Sequence, residues 1–217
     1  MKKRTMFFLL ILGTFLLVGN TPMKMTLSNN KVVYITDISK EYPLEKLKLN
    51  GKEWLEKKYD LLDEYFGKSE SFKISTGSAD EQYKKCYISS KKGDNTLVLF
   101  FSGAMGGYGN YTDGVDIYLN KNDFPSLEKC IPSKFVNKNM TFTNGLMLNI
   151  DSKKVKKILG DNTTYEDKEI FVYSFNVPIS LKGKDGKERE FDRFRSFEIH
   201  FTENKVSKIY IRVGDVS

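Results

Sequence analysis

The sequence predicts an α+β fold of two tandem units, each a helix followed by antiparallel sheet, with the helices on one sheet face. Three observations predict it. A short Leu-x-Leu-Asn passage runs into a helical stripe that ends at a glycine, once at 47–67 and again at 146–160. Each stripe is followed by three segments of alternating apolar and polar residues. Short polar turns join those segments, so neighbouring strands run antiparallel.

The first element is a leader. Met-Lys-Lys-Arg is followed by the apolar run Thr5–Val18 and by Gly19. A basic start, an apolar run of about 13 residues and a small residue match a secretory signal peptide, and a membrane span needs about 20. Leu17-Val18-Gly19-Asn20 has the form of a lipobox with Asn20 where the lipidated cysteine belongs. Thioether lipidation needs a thiol, so export is expected without lipidation, to the cell surface or the medium. Contact with the membrane is then through the leader alone. Residues 20–42 read as a spacer and a first extended segment, 43–122 as the first helix-sheet unit and 123–217 as the second. The break falls in the polar, proline-containing stretch Asn120–Asn139.

In the first unit, Leu55, Tyr59, Leu62 and Phe66 make one helical face over Gly51–Phe66. Asn50 is placed as its cap with Glu53 three residues on, and Gly67 as its stop. Strands follow at Tyr83–Ser90, Thr96–Ser102 and Val115–Leu119. In the second unit, Val155, Ile158 and Leu159 mark a helix over Ile150–Leu159, capped by Asp151 or Ser152 and ended by Gly160. Its strands are Glu169–Leu181, Phe191–Phe201 and Val206–Val213. In the second of these, Phe197, Ile199 and Phe201 point one way and Ser196, Glu198 and His200 the other.

Composition excludes several functions. With 40% apolar and 13% aromatic residues a sizeable core is possible and wholesale disorder is not. One histidine (His200) and two cysteines rule out zinc sites of four cysteines, two cysteines with two histidines, or three histidines. A Ser-His-Asp triad requires His200 as its base. The net charge of +7 falls to about +4 once Lys2, Lys3 and Arg4 leave with the leader. Lysine outnumbers arginine 30 to 5, and nucleic-acid sites lean on arginine forks, so no nucleic-acid partner is expected. No cofactor and no metal are expected either, although a calcium loop through Asp113 and Asp116 stays open. Export permits a Cys86–Cys130 disulfide, and two free buried thiols are the alternative.

Four places bear on binding. Gly103–Gly114 is a glycine-rich loop in which Tyr108 and Tyr111 supply amphipathic contact area, the composition of adaptable binding loops. It is neither a Walker loop nor a dinucleotide fingerprint. Glu198 and His200, with Tyr210 and Arg212 on the next strand, share the polar strand faces. A His-carboxylate pair at i and i+2 suits proton transfer or an ordinary surface pair. Phe171, Tyr173 and Phe175 form an aromatic row that is either a docking surface or core. Lys153, Lys154, Lys156 and Lys157 make a cationic helix, either a solvated face or an attraction for anionic polymers.

Thr143-Asn-Gly145-Leu-Met-Leu-Asn-Ile-Asp-Ser-Lys-Lys-Val155-Lys-Lys-Ile-Leu-Gly160, with Tyr165 through Tyr173 after it, resembles a passage of the SmpA/OmlA (BamE-like) and β-lactamase-inhibitor-protein-like (BLIP-like) domains. The resemblance covers about 143–213 well and 47–119 loosely, and Asn149 replaces the family's second glycine. It implies small helices packed on antiparallel sheet, in the inhibitor proteins as two units in tandem that bind a partner through a sheet face and loops. The motif is structural and carries fold better than function. The expectation is an exported, monomeric, non-enzymatic protein that binds another protein, of inhibitor, immunity or envelope-accessory type. Two alternatives stand beside it: a module for cell-wall polymer or small ligands, and a hydrolase-like enzyme using His200 and Glu198.

Overall fold

A computed structural model describes residues 23–28, 30–35, 47–55, 57–75, 81–104, 111–124, 126–182 and 186–215. The leader and residues 105–110 of the glycine-rich loop, Tyr108 among them, lie outside the described residues. No described helix is long and apolar enough to cross a membrane.

The fold is α+β, dominated by one mostly antiparallel sheet. The strands are β1 (Met23–Thr26), β2 (Val32–Ile35), β3 (Phe72–Ser75), β4 (Glu81–Ser89), β5 (Leu97–Ala104) and β6 (Gly114–Tyr118). They continue with β7 (Ile131–Ser133), β8 (Tyr165–Glu166), β9 (Ile170–Lys182), β10 (Glu188–Thr202) and β11 (Lys205–Asp215). The helices are α1 (Tyr59–Phe66) and α2 (Ser152–Leu159). β1 and β2 form a separate hairpin, and the large sheet runs β3-β4-β5-β6-β11-β10-β9-β8. β7 pairs in parallel with β4 at Tyr87–Ser89, beyond the stretch of β4 that pairs with β3. The strand order is symmetric about the β6–β11 seam, where Val115 faces Ile211 and Ile117 faces Ile209. β3 to β6, with β7 attached beside β4, follow α1 on one side of it, and β8 to β11 follow α2 on the other.

One core underlies the whole sheet. Phe100, Val115, Ile117, Phe197, Ile199, Ile209 and Ile211 from the strands share a cluster with Leu62 and Phe66 of α1 and Val155 of α2. Each such buried side chain contributes roughly 1.5–3 kcal/mol. The sequence halves therefore pack around shared side chains rather than around two separate interiors.

Both helices are eight residues long and too short to hold alone, so the sheet beneath them supplies their stability. α2 starts where expected, with the Asp151 side chain accepting from the Lys154 amide at 2.8 Å. Gly67 and Gly160 close the two helices at φ 105° and 97°, values that favour glycine.

α1 corrects the sequence reading. The helix begins at Tyr59, with Lys58 at its N-cap position, and 51–55, 57 and 58 are not helical. Asn50 and Gly51 have φ of 49° and 75°, and Leu49 and Lys52 exchange two backbone hydrogen bonds of 2.9 Å. Asn-Gly with both residues at positive φ makes a tight two-residue turn. This places Trp54 inside, 1% exposed, edge-on to Phe142 at 6.4 Å. The Asn50 side chain accepts from the Thr141 amide at 3.0 Å instead of capping a helix. The strands β1, β2, β3, β7 and β8 are additions to the six that alternation predicts.

Candidate functional site

The sheet has a second face, opposite the helices. The register sets Cys86, Leu99, Asp116, Tyr210, Glu198, Val172 and Tyr165 in one row across it. A parallel row carries Lys84, Phe101, Gly114, Arg212, Ser196 and Ser174. Four of the binding candidates (Glu198, His200, Tyr210 and Arg212) are therefore neighbours here, because β10 and β11 pair directly.

The β1–β2 hairpin sits on this face. Its turn is closed by backbone bonds from Leu27 to Lys31 and from Asn30 to Leu27, and Leu27 is buried. Glu198 accepts the Ser28 amide at 3.0 Å through Oε1 and 3.2 Å through Oε2, and the Ser28 hydroxyl at 2.6 Å. His200 Nε2 lies 2.5 Å from Glu198 Oε1 and 3.0 Å from Ser28 Oγ, and its ring stands edge-on to Tyr210 at 5.2 Å. At the far end of the turn, Lys31 Nζ contacts the Tyr165 hydroxyl and Asp167 Oδ2, the latter at 2.9 Å. Tyr165 donates to the same carboxylate at 2.6 Å.

Glu198 is thus no solvated surface group: it is 5% exposed. Burial pushes its carboxyl up, but hydrogen bonds from His200 and Ser28 outweigh that and hold it below its usual range. Burial raises the Tyr210 hydroxyl. A nucleophilic relay needs one imidazole nitrogen for the hydroxyl and the other for the carboxylate. Here Nε2 faces both partners, and the Ser28 hydroxyl donates its hydrogen bond to Glu198 Oε1. The trio is built to hold the hairpin turn.

Next to it lies Asp116, fully buried within an apolar strand and ion-paired with Arg212 Nη1. Burial drives the Asp116 carboxyl up, with Arg212 offsetting it only in part. This pairing commits the Asp116 carboxylate to Arg212. Among the described residues no three His, Cys, Asp or Glu side chains gather to hold a metal. Arg212 stacks its guanidinium 4.2 Å from the Phe101 ring centre and 5.2 Å from that of Tyr210.

Cys86 and Cys130 are bridged, with Cα atoms 4.5 Å apart. The bridge packs with Leu97, Leu99, Tyr118, Phe124 and Tyr210 in a small second cluster on this face.

Two candidates belong elsewhere. Tyr173 is 1% exposed, faces the main core and donates to the Gly160 carbonyl at 3.1 Å, tying β9 to the end of α2. The row Phe171, Tyr173 and Phe175 is core: all three are buried in the main cluster, with Phe171 packed against Phe201 and Phe175 against Phe197 of β10. Tyr111 is 39% exposed at the end of the glycine-rich loop, bridged to Lys58. Of the α2 lysines, Lys153, Lys154 and Lys157 are exposed, and Lys156 is drawn to Glu166 at 2.7 Å and over Phe171. A wide depression lies by Ser152, Glu166, Asp167, Lys168, Phe171 and Asn204, but Glu166 and Asp167 are already engaged by lysines.

Sequence reasoning missed Ser28, Lys84, Phe101, Asp116 as Arg212's partner, and Ser196. One signal was present: Asp116 interrupts the apolar run Val115–Leu119, and an acid inside a buried strand calls for a cation. Ser28 carries no such signal, since it lies 170 residues from Glu198.

No family model, curated protein or solved structure matches this chain.

Proposed function

We propose that this is an exported, non-enzymatic protein that binds another protein, of inhibitor, immunity or envelope-accessory type. The observation that carries the reading is the seat of the hairpin turn. A polypeptide loop lies on the polar sheet face, and Glu198 takes both its amide and its hydroxyl. A face that holds a loop by directed hydrogen bonds between aromatic walls has the chemistry of protein recognition. The exposed Tyr111 beside the glycine-rich loop adds adaptable contact area. The basic, apolar start of the chain supports export. The symmetric strand order about the β6–β11 seam supports two tandem helix-plus-sheet units of the BLIP-like kind.

The test is affinity capture from envelope and culture-supernatant extracts. The full chain is compared with a Tyr108→Ala/Tyr111→Ala variant, and bound proteins are identified by mass spectrometry. A reproducible partner that the variant loses is the expected result. No reproducible partner for either chain defeats the reading.

A hydrolase-like reading has one observation in its favour, the 3.0 Å approach of Ser28 Oγ to His200 Nε2. Labelling of Ser28 by a fluorophosphonate would raise it above the binding reading. The polymer-binding reading rests on the exposed lysines of α2. It requires association with anionic polymer that survives about 150 mM salt, where surface charges are largely screened.

A further inference from the structure

We propose that Lys84 and Arg212, flanking Phe101 on the second sheet face, form a receptor for a single carboxylate. The inference is argued from this face alone and does not depend on the identity of any protein partner.

Lys84 is half-buried and has no hydrogen bond or ion pair among the described residues. The charges that act on it are Asp116, which favours its ammonium, and Arg212, which opposes it, while burial lowers its pKa. A partly desolvated cation beside a second cation is an unfavourable arrangement for a fold to keep. Asp116 cannot balance both. Its carboxylate is fully buried and already committed to Arg212 Nη1.

Arg212 is itself only partly used. Nη1 reaches Asp116 and the Ile211 carbonyl, while Nη2 and Nε have no partner among the described residues. Those two nitrogens form one edge of the guanidinium fork, the edge that accepts a carboxylate in bidentate fashion. The guanidinium carbon lies over the Phe101 ring, 4.2 Å from its centre, and the Arg212 side chain remains 35% exposed. The Phe101 ring fills the space above Gly114, where an added Cβ would meet it, so the platform is fixed from below.

Ser196 adds a second sign. It faces Arg212 across the β10–β11 pair, is fully buried, and its hydroxyl has no partner among the described residues. An unsatisfied hydroxyl on the residue paired with Arg212 adds a donor for which the described residues supply no acceptor. Glu198, the other carboxylate that acts on Asp116, is committed to Ser28 and His200, and Asp116 to Arg212, so Lys84 is the cation left without a carboxylate. A single carboxylate neutralises it, whereas a dianionic phosphate would overshoot.

The experiment is an NMR titration of the full chain at constant ionic strength, following the Arg212 side-chain Nε–H and the Gly114 amide. The probes are acetate, a blocked Ala-Glu-Ala peptide and its Ala-Gln-Ala counterpart. Saturable shifts with acetate and the Glu peptide, and none with the Gln peptide, are expected and point to an acidic side chain as ligand. Saturation with acetate alone supports the receptor but assigns it to small free carboxylates.

Lys84→Met should weaken acetate binding at least tenfold while leaving the urea midpoint equal or higher, because it removes a partly buried, unpaired charge. Arg212→Lys, which keeps the charge but loses the fork, should weaken it at least fivefold. Linear shifts without saturation overturn the proposal. So does Lys84→Met binding acetate as tightly as the parent chain. Neither outcome bears on whether the chain captures a protein through other contacts.

Discussion

Removing the Cys86–Cys130 bridge tests the architecture most directly. The bridge spans 44 residues and ties β4 to the stretch that leads into the second half of the chain. Closing a loop of that size removes unfolded-state entropy worth about 4 kcal/mol in the chain-entropy model. Domains are stable by roughly 5–15 kcal/mol, so the loss would be a large fraction of the total. Without the bridge, β7 is held through three residues paired with β4 and the Ser90 amide bond to Ser133 at 3.1 Å. The perturbation is the double variant Cys86→Ala/Cys130→Ala, which avoids placing a hydroxyl at the fully buried Cys86. The assay is urea unfolding at pH 7, with thiol titration of the denatured parent chain to establish that it is oxidised. A stability lower by about 3–5 kcal/mol is expected. A loss under about 1 kcal/mol in a chain shown to be oxidised would refute the reasoning, because the cross-link would then not restrict the unfolded ensemble.

Three further outcomes follow from local geometry. Gly114→Ala puts a Cβ 2.6 Å from the Ile211 carbonyl and into the Phe101 ring, so it should cost about 1–3 kcal/mol by urea midpoint. Asp151→Ala removes the α2 cap and should cost about 1 kcal/mol, read as a lower thermal midpoint. The folded Glu198 carboxyl lies below its usual range, so its stabilisation is present above the unfolded value and is lost as pH falls through the folded one. Glu198→Gln should therefore be less stable than the parent by about 1.5–3 kcal/mol at pH 7, with the gap closing toward pH 3 in parallel urea titrations. A gap that is constant with pH would show that the charge on Glu198 is not what holds Ser28.

The legible parts of the fold were those written in nearest-neighbour terms. The alternation Phe197, Ile199, Phe201 against Ser196, Glu198, His200 named both faces of β10 correctly, because side chains in a strand alternate whatever lies beside them. Asp151 and Gly160 marked α2 because caps act within one turn. The same logic misplaced the start of α1. The Asn50-Gly51 turn signal competed with a helical stripe, and burial of Trp54 against Phe142 decided for the turn. Strands as short as β7 and β8 have too few residues to show a period, so only their neighbours reveal them.

The candidate site was legible in part for the same reason. Sequence alone placed Glu198 with His200 and Tyr210 with Arg212, since those pairs lie two residues apart on one strand face. It also determined that the inventory is poor in histidine and cysteine. Only the tertiary structure decided that Ser28 caps Glu198, that Asp116 pairs with Arg212, and that Tyr173 is core. It alone decided that Cys86 meets Cys130. None of these is a local preference: the β6–β11 register sets Asp116 by Arg212, the parallel β4–β7 pair brings Cys130 to Cys86, and the seating of the hairpin turn brings Ser28 to Glu198.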